Sequence, residues 1–324
     1  MRSKGCPVEE YLYQNKSGLL IIFLKVLFSL VKKRPDVIHT HLLEANVIGL
    51  TSAWIIGIKK RIFTRHHALV HYDDYPRGII WDKWCNLIAT DIIAVSNTVK
   101  KILIEKDRAD PKKISVIHHG FDIDYFRNVS PKKINHLKRK HTLEQVSPVI
   151  GVIARHVQWK GIQYIIPAFE KLLKKYPNAK LVLANAQGDY SSKIDKLLKG
   201  IPNNNYCKII FEEDISTLYH CFDIYVHVPI DDQSEAFGQG YIESLASGVP
   251  SVVTLSGIAN DAIQHGHNAL VVAHQNSDEI FHAVMKVLEN PGIAQKIVQN
   301  GYKTASQNFQ VGKMISSLEK MYEN

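Results

Sequence analysis

Ser234-Glu-Ala-Phe-Gly-Gln-Gly-Tyr-Ile-Glu-Ser-Leu-Ala-Ser-Gly-Val-Pro250 carries two glutamates, Glu235 and Glu243, with seven residues between them. Apolar, β-branched runs flank it, Asp223-Ile-Tyr-Val-His-Val228 before and Pro250-Ser-Val-Val-Thr254 after. These runs read as strands and Gly238 to Ser247 as a helix, so the stretch is a strand, loop, helix and strand of a parallel sheet. A helix beginning near Gly238 leaves Glu235 in the loop ahead of its amino terminus and puts Glu243 about one and a half turns inside. Two carboxylates and the free N–H groups of a helix start then face one ligand. Carboxylates accept from sugar and ribose hydroxyls, and a helix start suits a diphosphate. A nucleotide sugar has both kinds of group. The plainer alternative makes Glu235 a helix cap and Glu243 a solvated helical residue.

The same alternation extends outward. Val149 to Ala154, Lys180 to Ala184, Lys208 to Phe211 and Ala269 to Val272 read as further strands of this sheet, with helices at Gly161 to Lys175, Ser191 to Leu198 and Asp278 to Glu289. Upstream, a helix from Leu19 to Lys33 leads into the strand Asp36 to His41, and Arg61 to Arg65, Asp91 to Val95 and Ile114 to Ile117 follow at helix-length spacing. Between the two sets, Asn128 to Ser147 is polar with little apolar periodicity. It reads as a hinge, and its Lys132, Lys133, Lys138, Arg139 and Lys140 as a solvated run rather than a nucleic-acid arm. The chain is expected to be α/β, with two doubly wound, Rossmann-like domains facing a cleft. The boundaries are 1–135 on the acceptor side, 136–300 for the nucleotide sugar, and 301–324 as a helix returning to the first domain. Ligands bind such sheets at the carboxyl ends of the strands.

At 324 residues the chain suits two domains of ordinary size, and 45% hydrophobic with 22% charged residues excludes a disordered or fibrous protein. A formal charge of +9 favours an anionic partner. Cys6, Cys85, Cys207 and Cys221 are widely spaced with no CxxC pair, which argues for reduced thiols and against a zinc or redox motif. The apolar run Gly18 to Leu30 is broken by Lys25 and too short to span a bilayer. It reads as a mostly buried helix, with contact at a membrane surface as the second reading.

The Ser234–Pro250 stretch resembles the EX7E signature of family 4 retaining glycosyltransferases, in the Phe-Gly after the first glutamate and in the Ala-x-Gly-x-Pro that closes the helix. The resemblance extends to Ala154-Arg-His-Val-Gln-Trp-Lys-Gly161, Ala94-Val-Ser-Asn97 and Ser115 to Phe126, so it covers most of the chain. It implies a GT-B fold and a sugar transfer from a UDP- or GDP-linked donor to a glycan or glycolipid acceptor of the cell envelope. It places the protein in the cytoplasm or at the inner membrane face. In those roles Arg155 and Lys160 grip the donor diphosphate, Glu243 the ribose and Glu235 the sugar ring, with Phe237, Gly238 and Gln239 completing the donor site. A guanidinium and an ammonium stabilise a departing diphosphate without a metal or cofactor, so neither is expected. Retention in this family is described as a front-face reaction, which leaves Glu235 a positioning and electrostatic part. Thr64-Arg-His-His67 resembles the family's Thr-x-His and assigns His66 to the reacting centre, with His67 its neighbour. His39 and His41 lack a further ligand at metal spacing and read as packing.

The chain departs from the family pattern at its start, where the usual glycine-rich strand and turn are missing, as though one βαβ unit were absent and the first domain shortened. Unpaired edges and exposed apolar surface are the expected result. Ala154, His119, Asn185 to Gln187 and Ser256 to Asp261 also differ from the usual residues. Two competing readings follow, a non-catalytic protein that binds nucleotide sugar or a partner, and a nucleotide-sugar epimerase. As a polar cleft residue, Glu235 is expected to tolerate replacement by alanine with loss of transfer and no loss of fold.

Overall fold

The computed structural model describes residues 5, 7–13 and 18–323, so Met1 to Lys4 and Cys6 lie outside the described residues. The chain divides into two compact units. The first comprises Met1–His66, Val70–Ala94 and Lys100–Val116. Its sheet runs β1 (Val37–His41), β2 (Lys60–Arg65), β3 (Asp91–Ala94) and β4 (Ile114–Val116) in that order, every pair parallel. Helices cover a parallel sheet on its faces, so its inner strands read as continuous apolar runs, as Ile62 with Phe63 and Ile92 with Ile93 do here. At the end of β2 the fully buried Arg65 meets Asp82 at 2.7 Å and Asp107 at 3.3 Å. His71 binds Asp82 at 2.5 Å, and the Tyr72 hydroxyl donates to Asp107 at 2.6 Å. A charge this deep is held only by partners of opposite sign.

The helix Gly18–Lys33 corrects the expectation of a mostly buried element. None of its residues is buried, and Leu20, Ile21, Leu24 and Phe28 are between 55% and 72% exposed. It packs against the helix Leu43–Ile55 on one side. The outward residues recur at positions 20, 21, 24, 28 and 31, a single helical face, with Lys25 and Lys32 on the same face.

The second unit comprises His67–Leu69, Val95–Val99 and Ile117–Asn324. Six parallel strands lie in the order β10 (Leu270–Val271), β9 (Ser251–Val253), β8 (Ile224–His227), β5 (Val149–Ile153), β6 (Lys180–Ala184) and β7 (Tyr206–Ile209). The chain lays β5, β6 and β7 outward in one direction, then returns to build β8, β9 and β10 on the other side of β5. The order therefore reverses between β5 and β8, where Ile150 pairs with Ile224 and Gly151 with Tyr225. Loops leaving two such strands diverge to opposite faces and open a ligand crevice at their carboxyl ends.

The stretch read as a hinge, Asn128 to Ser147, contains the helix Pro131–Lys140. Ser130 Oγ accepts from Lys133 N at 3.4 Å, and proline occupies the first turn, where its missing N–H costs nothing. Leu137 and Leu143 are buried, while Lys133 and Lys140 pair with Asp214 and Glu212 at 3.1 and 2.7 Å. Two apolar anchors and a cap make a helix from a segment whose composition reads as linker.

Candidate active site

The loop after β5 is shaped by Gly161. It takes φ 74° after the turn Gln158–Lys160, and a Cβ there would overlap the carbonyl oxygen of Val228 just past β8. The glycine thus presses one switch-point loop against the other strand's end. Lys160 lies with its ammonium 4.5 Å from the Trp159 ring centre and pairs with Glu235 Oε1. Arg155, at the end of the same strand, is exposed, and no side chain among the described residues pairs with it.

Glu235 is 5% exposed. Its N–H donates to Ser256 Oγ at 3.1 Å, and its Oε1 accepts from both Lys160 and His227 Nε2, the latter at 3.0 Å. Burial pushes the carboxyl up, but the Lys160 ammonium and the His227 hydrogen bond outweigh it and hold the pKa down at about 2. Glu243, on the helix Gln239–Ser247, is shifted the other way. Burial raises it, and the Tyr219 hydroxyl, donating to Oε2 at 2.9 Å, opposes the rise only in part. The sequence reading of Glu235 as a polar cleft residue is corrected here, since alanine would strip two largely buried donors of their acceptor.

Phe237, Gly238 and Gln239 serve different ends. Phe237 is buried among His119, Phe121 and Phe309, with ring centres 4.8 to 6.3 Å away, and its carbonyl accepts from Ile258 N at 2.8 Å. Gly238 turns the chain at φ 81°, and exposed Gln239 opens the helix, whose first N–H groups have no partners within it. The Val95–Val99 segment braces this loop from behind. Ser96 Oγ donates to Ala236 O at 2.6 Å, Asn97 N to Asp261 Oδ2 at 2.9 Å and Thr98 Oγ1 to Gly257 O at 3.2 Å.

Lys160, Glu235, Phe237, Gly238 and Gln239 therefore stand together at the switch point, with Glu243 on the helix that follows. His66 belongs to the first unit, at the end of β2. Its Nε2 lies 2.8 Å from His41 Nδ1, and the rings of His39 and His41 are 4.3 Å apart. Burial, then the neighbouring imidazoles, lower His39 to about 4. Sequence reasoning missed His227, Tyr225, Tyr219 and Ser256. The available signal was one histidine inside the apolar strand β8, two residues beyond Tyr225 and hence on its face.

Two parallel α/β sheets, with a cation and two carboxylates at the second sheet's switch point, define a GT-B glycosyltransferase. The fold is that of Anabaena HepE solved with UDP and glucose, at a TM-score of 0.88 and 22% identity over 100% of this chain and 88% of that one. The model of "Glycosyl transferases group 1" matches residues 133–304 and that of "Glycosyltransferase Family 4" residues 5–125, and the chain belongs to the group 1 glycosyl transferases. It is 27% identical over 304 residues to the capsular polysaccharide biosynthesis glycosyltransferase CapM of Staphylococcus aureus, covering 92% of this chain and 79% of that one. It is 22% identical over 315 residues to a UDP-Gal:alpha-D-GlcNAc-diphosphoundecaprenol alpha-1,3-galactosyltransferase of Escherichia coli, covering 91% and 77%. Among the described residues no helix is long and apolar enough to cross a membrane.

Proposed function

We propose that the chain is a retaining hexosyltransferase that moves a sugar from a UDP-linked donor to a polysaccharide or lipid-linked glycan of the cell envelope, at the cytoplasmic membrane surface. The observation that carries this reading is the largely buried Lys160–Glu235 pair at the switch point. Arg155 and Lys160 take the diphosphate, Glu243 accepts from the ribose hydroxyls, and Glu235 accepts from the sugar beside the reacting carbon. Breaking the bond from sugar to phosphate builds negative charge on the leaving diphosphate. Two cations and the start of the helix Gln239–Ser247 stabilise that charge without a metal. A retaining course needs no enzyme nucleophile when the acceptor hydroxyl attacks from the leaving group's face and gives its proton to the departing phosphate. His66 is assigned to the donor sugar in the same reading.

The UDP preference is supported by the donor named for the Escherichia coli relative, and the envelope acceptor by that relative and CapM. Membrane contact is supported by the exposed apolar face of Gly18–Lys33 with its lysines, the composition of a helix that lies in a bilayer interface. Thermal shift with UDP, GDP and their sugar conjugates, in EDTA, tests the donor site. Stabilisation by the UDP series that disappears in Lys160→Ala is expected. A response to GDP alone would reassign the base, and no response to either would overturn the reading.

A further inference from the structure

Three buried side chains behind the two glutamates have no part in the roles assigned above. From Glu235 Oε1 the contacts run to His227 Nε2 at 3.0 Å, and from His227 Nδ1 to the Tyr225 hydroxyl at 3.3 Å. Tyr225 lies against Tyr219, ring centres 5.2 Å apart, and Tyr219 donates its own proton to Glu243. All three are at most 2% exposed. Gly240, between the two glutamates in sequence, lies over both phenols. A Cβ there would overlap the Tyr225 hydroxyl and come within 3.4 Å of that of Tyr219, so only glycine lets the helix settle on them.

The proton directions follow from chemistry. An ionised carboxylate can only accept, so His227 donates from Nε2. Burial keeps the ring neutral against the pull of Glu235. Its Nδ1 must then accept, and since the Tyr219 proton goes to Glu243, the Tyr225 hydroxyl donates to His227. Both donors to Glu235 fall on Oε1, and among the described residues no side chain takes Oε2.

We propose that His227 is a positioning residue for sugar transfer, its tautomer fixed by Tyr225, which holds Oε1 of Glu235 so that Oε2 faces the donor sugar. The proposal rests on the reading of Glu235 and Lys160 given above. Lys160 cannot do this alone, because an ammonium on a flexible stem is a point charge without fixed direction, and in that reading the diphosphate draws on it as well. His227 is then the partner that keeps the carboxylate aimed while the donor is bound.

Two readouts separate this inference from the assignment of function. In long-range 1H–15N spectra, the His227 signals, identified by their loss in His227→Gln, are expected to show an Nε2–H tautomer in the wild type and a mixture in Tyr225→Phe. An Nδ1–H tautomer in the wild type overturns the proposal whether or not the protein turns over a donor. In UDP release from UDP-glucose, His227→Leu is expected to lower kcat about 100-fold while UDP affinity stays within about threefold, the cost of a misaimed group rather than of lost binding. His227→Gln, whose amide reaches the same carboxylate, recovers at least about tenfold of that loss. Unchanged kcat in His227→Leu, or kcat and UDP affinity falling together with no rescue by glutamine, overturns the proposal. A wild type that neither binds UDP nor releases it overturns the donor assignment instead, and the tautomer still decides the geometry.

Discussion

Glu235 and Glu243 are the same side chain with seven residues between them, and their surroundings push them in opposite directions. Glu235, held down at about 2, stays ionised across the working pH range. Its folded pKa lies below its ordinary value of 4.5, so its contribution to stability is complete above that value and is lost as pH falls toward 2. Glu235→Gln is therefore expected to abolish turnover and keep the fold. Glu235→Ala also loses about 3–5 kcal/mol of stability, because it leaves a buried ammonium and imidazole without an acceptor. Denaturant melts beside a UDP-release assay separate the two variants, and equal stability would show that the ion pair is solvated. Glu243 carries the opposite sign. A carboxyl raised by folding is most favourable when protonated, so its penalty grows as pH rises through its folded pKa. Glu243→Gln should raise the melting temperature at pH 8, with the gain fading toward pH 5, while weakening UDP binding. A gain independent of pH would assign the effect to packing. Spacing and neighbours made Glu235, Glu243 and the Arg155 to Gly161 loop legible in sequence. His227, Tyr225 and Tyr219 were hidden because an aromatic or histidine in an apolar run reads as core, which by burial these three are, and only the fold shows whom they face.

Lys160 meets Glu235 because Gly161 seats the loop after β5 against the end of β8. Gly161→Ala meets both a φ of 74° and the Val228 carbonyl, and should cost about 1–3 kcal/mol or more. Its further effect is to lift Lys160 away, so UDP affinity should fall in proportion. Calorimetry with UDP alongside thermal melts checks this, and a destabilised variant with normal affinity would detach the turn from the site. Strands were legible to within one residue at each end, since a buried parallel strand is an unbroken β-branched run. The exception was β7, which spans Tyr206–Ile209 although the reading ran on to Phe211. As an edge strand it has a neighbour on one side only, and Ile210 and Phe211 stand exposed beyond it. The helix Pro131–Lys140 escaped notice for a different reason, because its fold rests on a cap and two leucines rather than on a continuous apolar face.

For the molecule as a whole, a formal charge of +9 and an exposed apolar helix face act in the same direction. Co-sedimentation with vesicles containing about one-third anionic lipid should be strong at low salt. It should weaken as the Debye length shrinks to about 8 Å at physiological ionic strength. Leu24→Gln with Phe28→Gln should reduce binding roughly tenfold or more without altering the melt, because both side chains are already mostly exposed. Salt-insensitive binding, or binding unaffected by the pair, would place the contact elsewhere. The division of the chain has a practical consequence of its own. The second unit recruits His67–Leu69 and Val95–Val99 from within the first unit's sequence, so the backbone passes from one to the other five times. A fragment starting at Ile117 would keep every strand of the second sheet yet lack Ser96, Asn97 and Thr98. It would leave the Ala236 carbonyl without its Ser96 donor, and the Gly257 carbonyl and Asp261 carboxylate with only Asn260 N–H and His118. The Glu235 loop thus cannot be excised as a linear piece of the gene and keep its brace, although the sheet beneath it can.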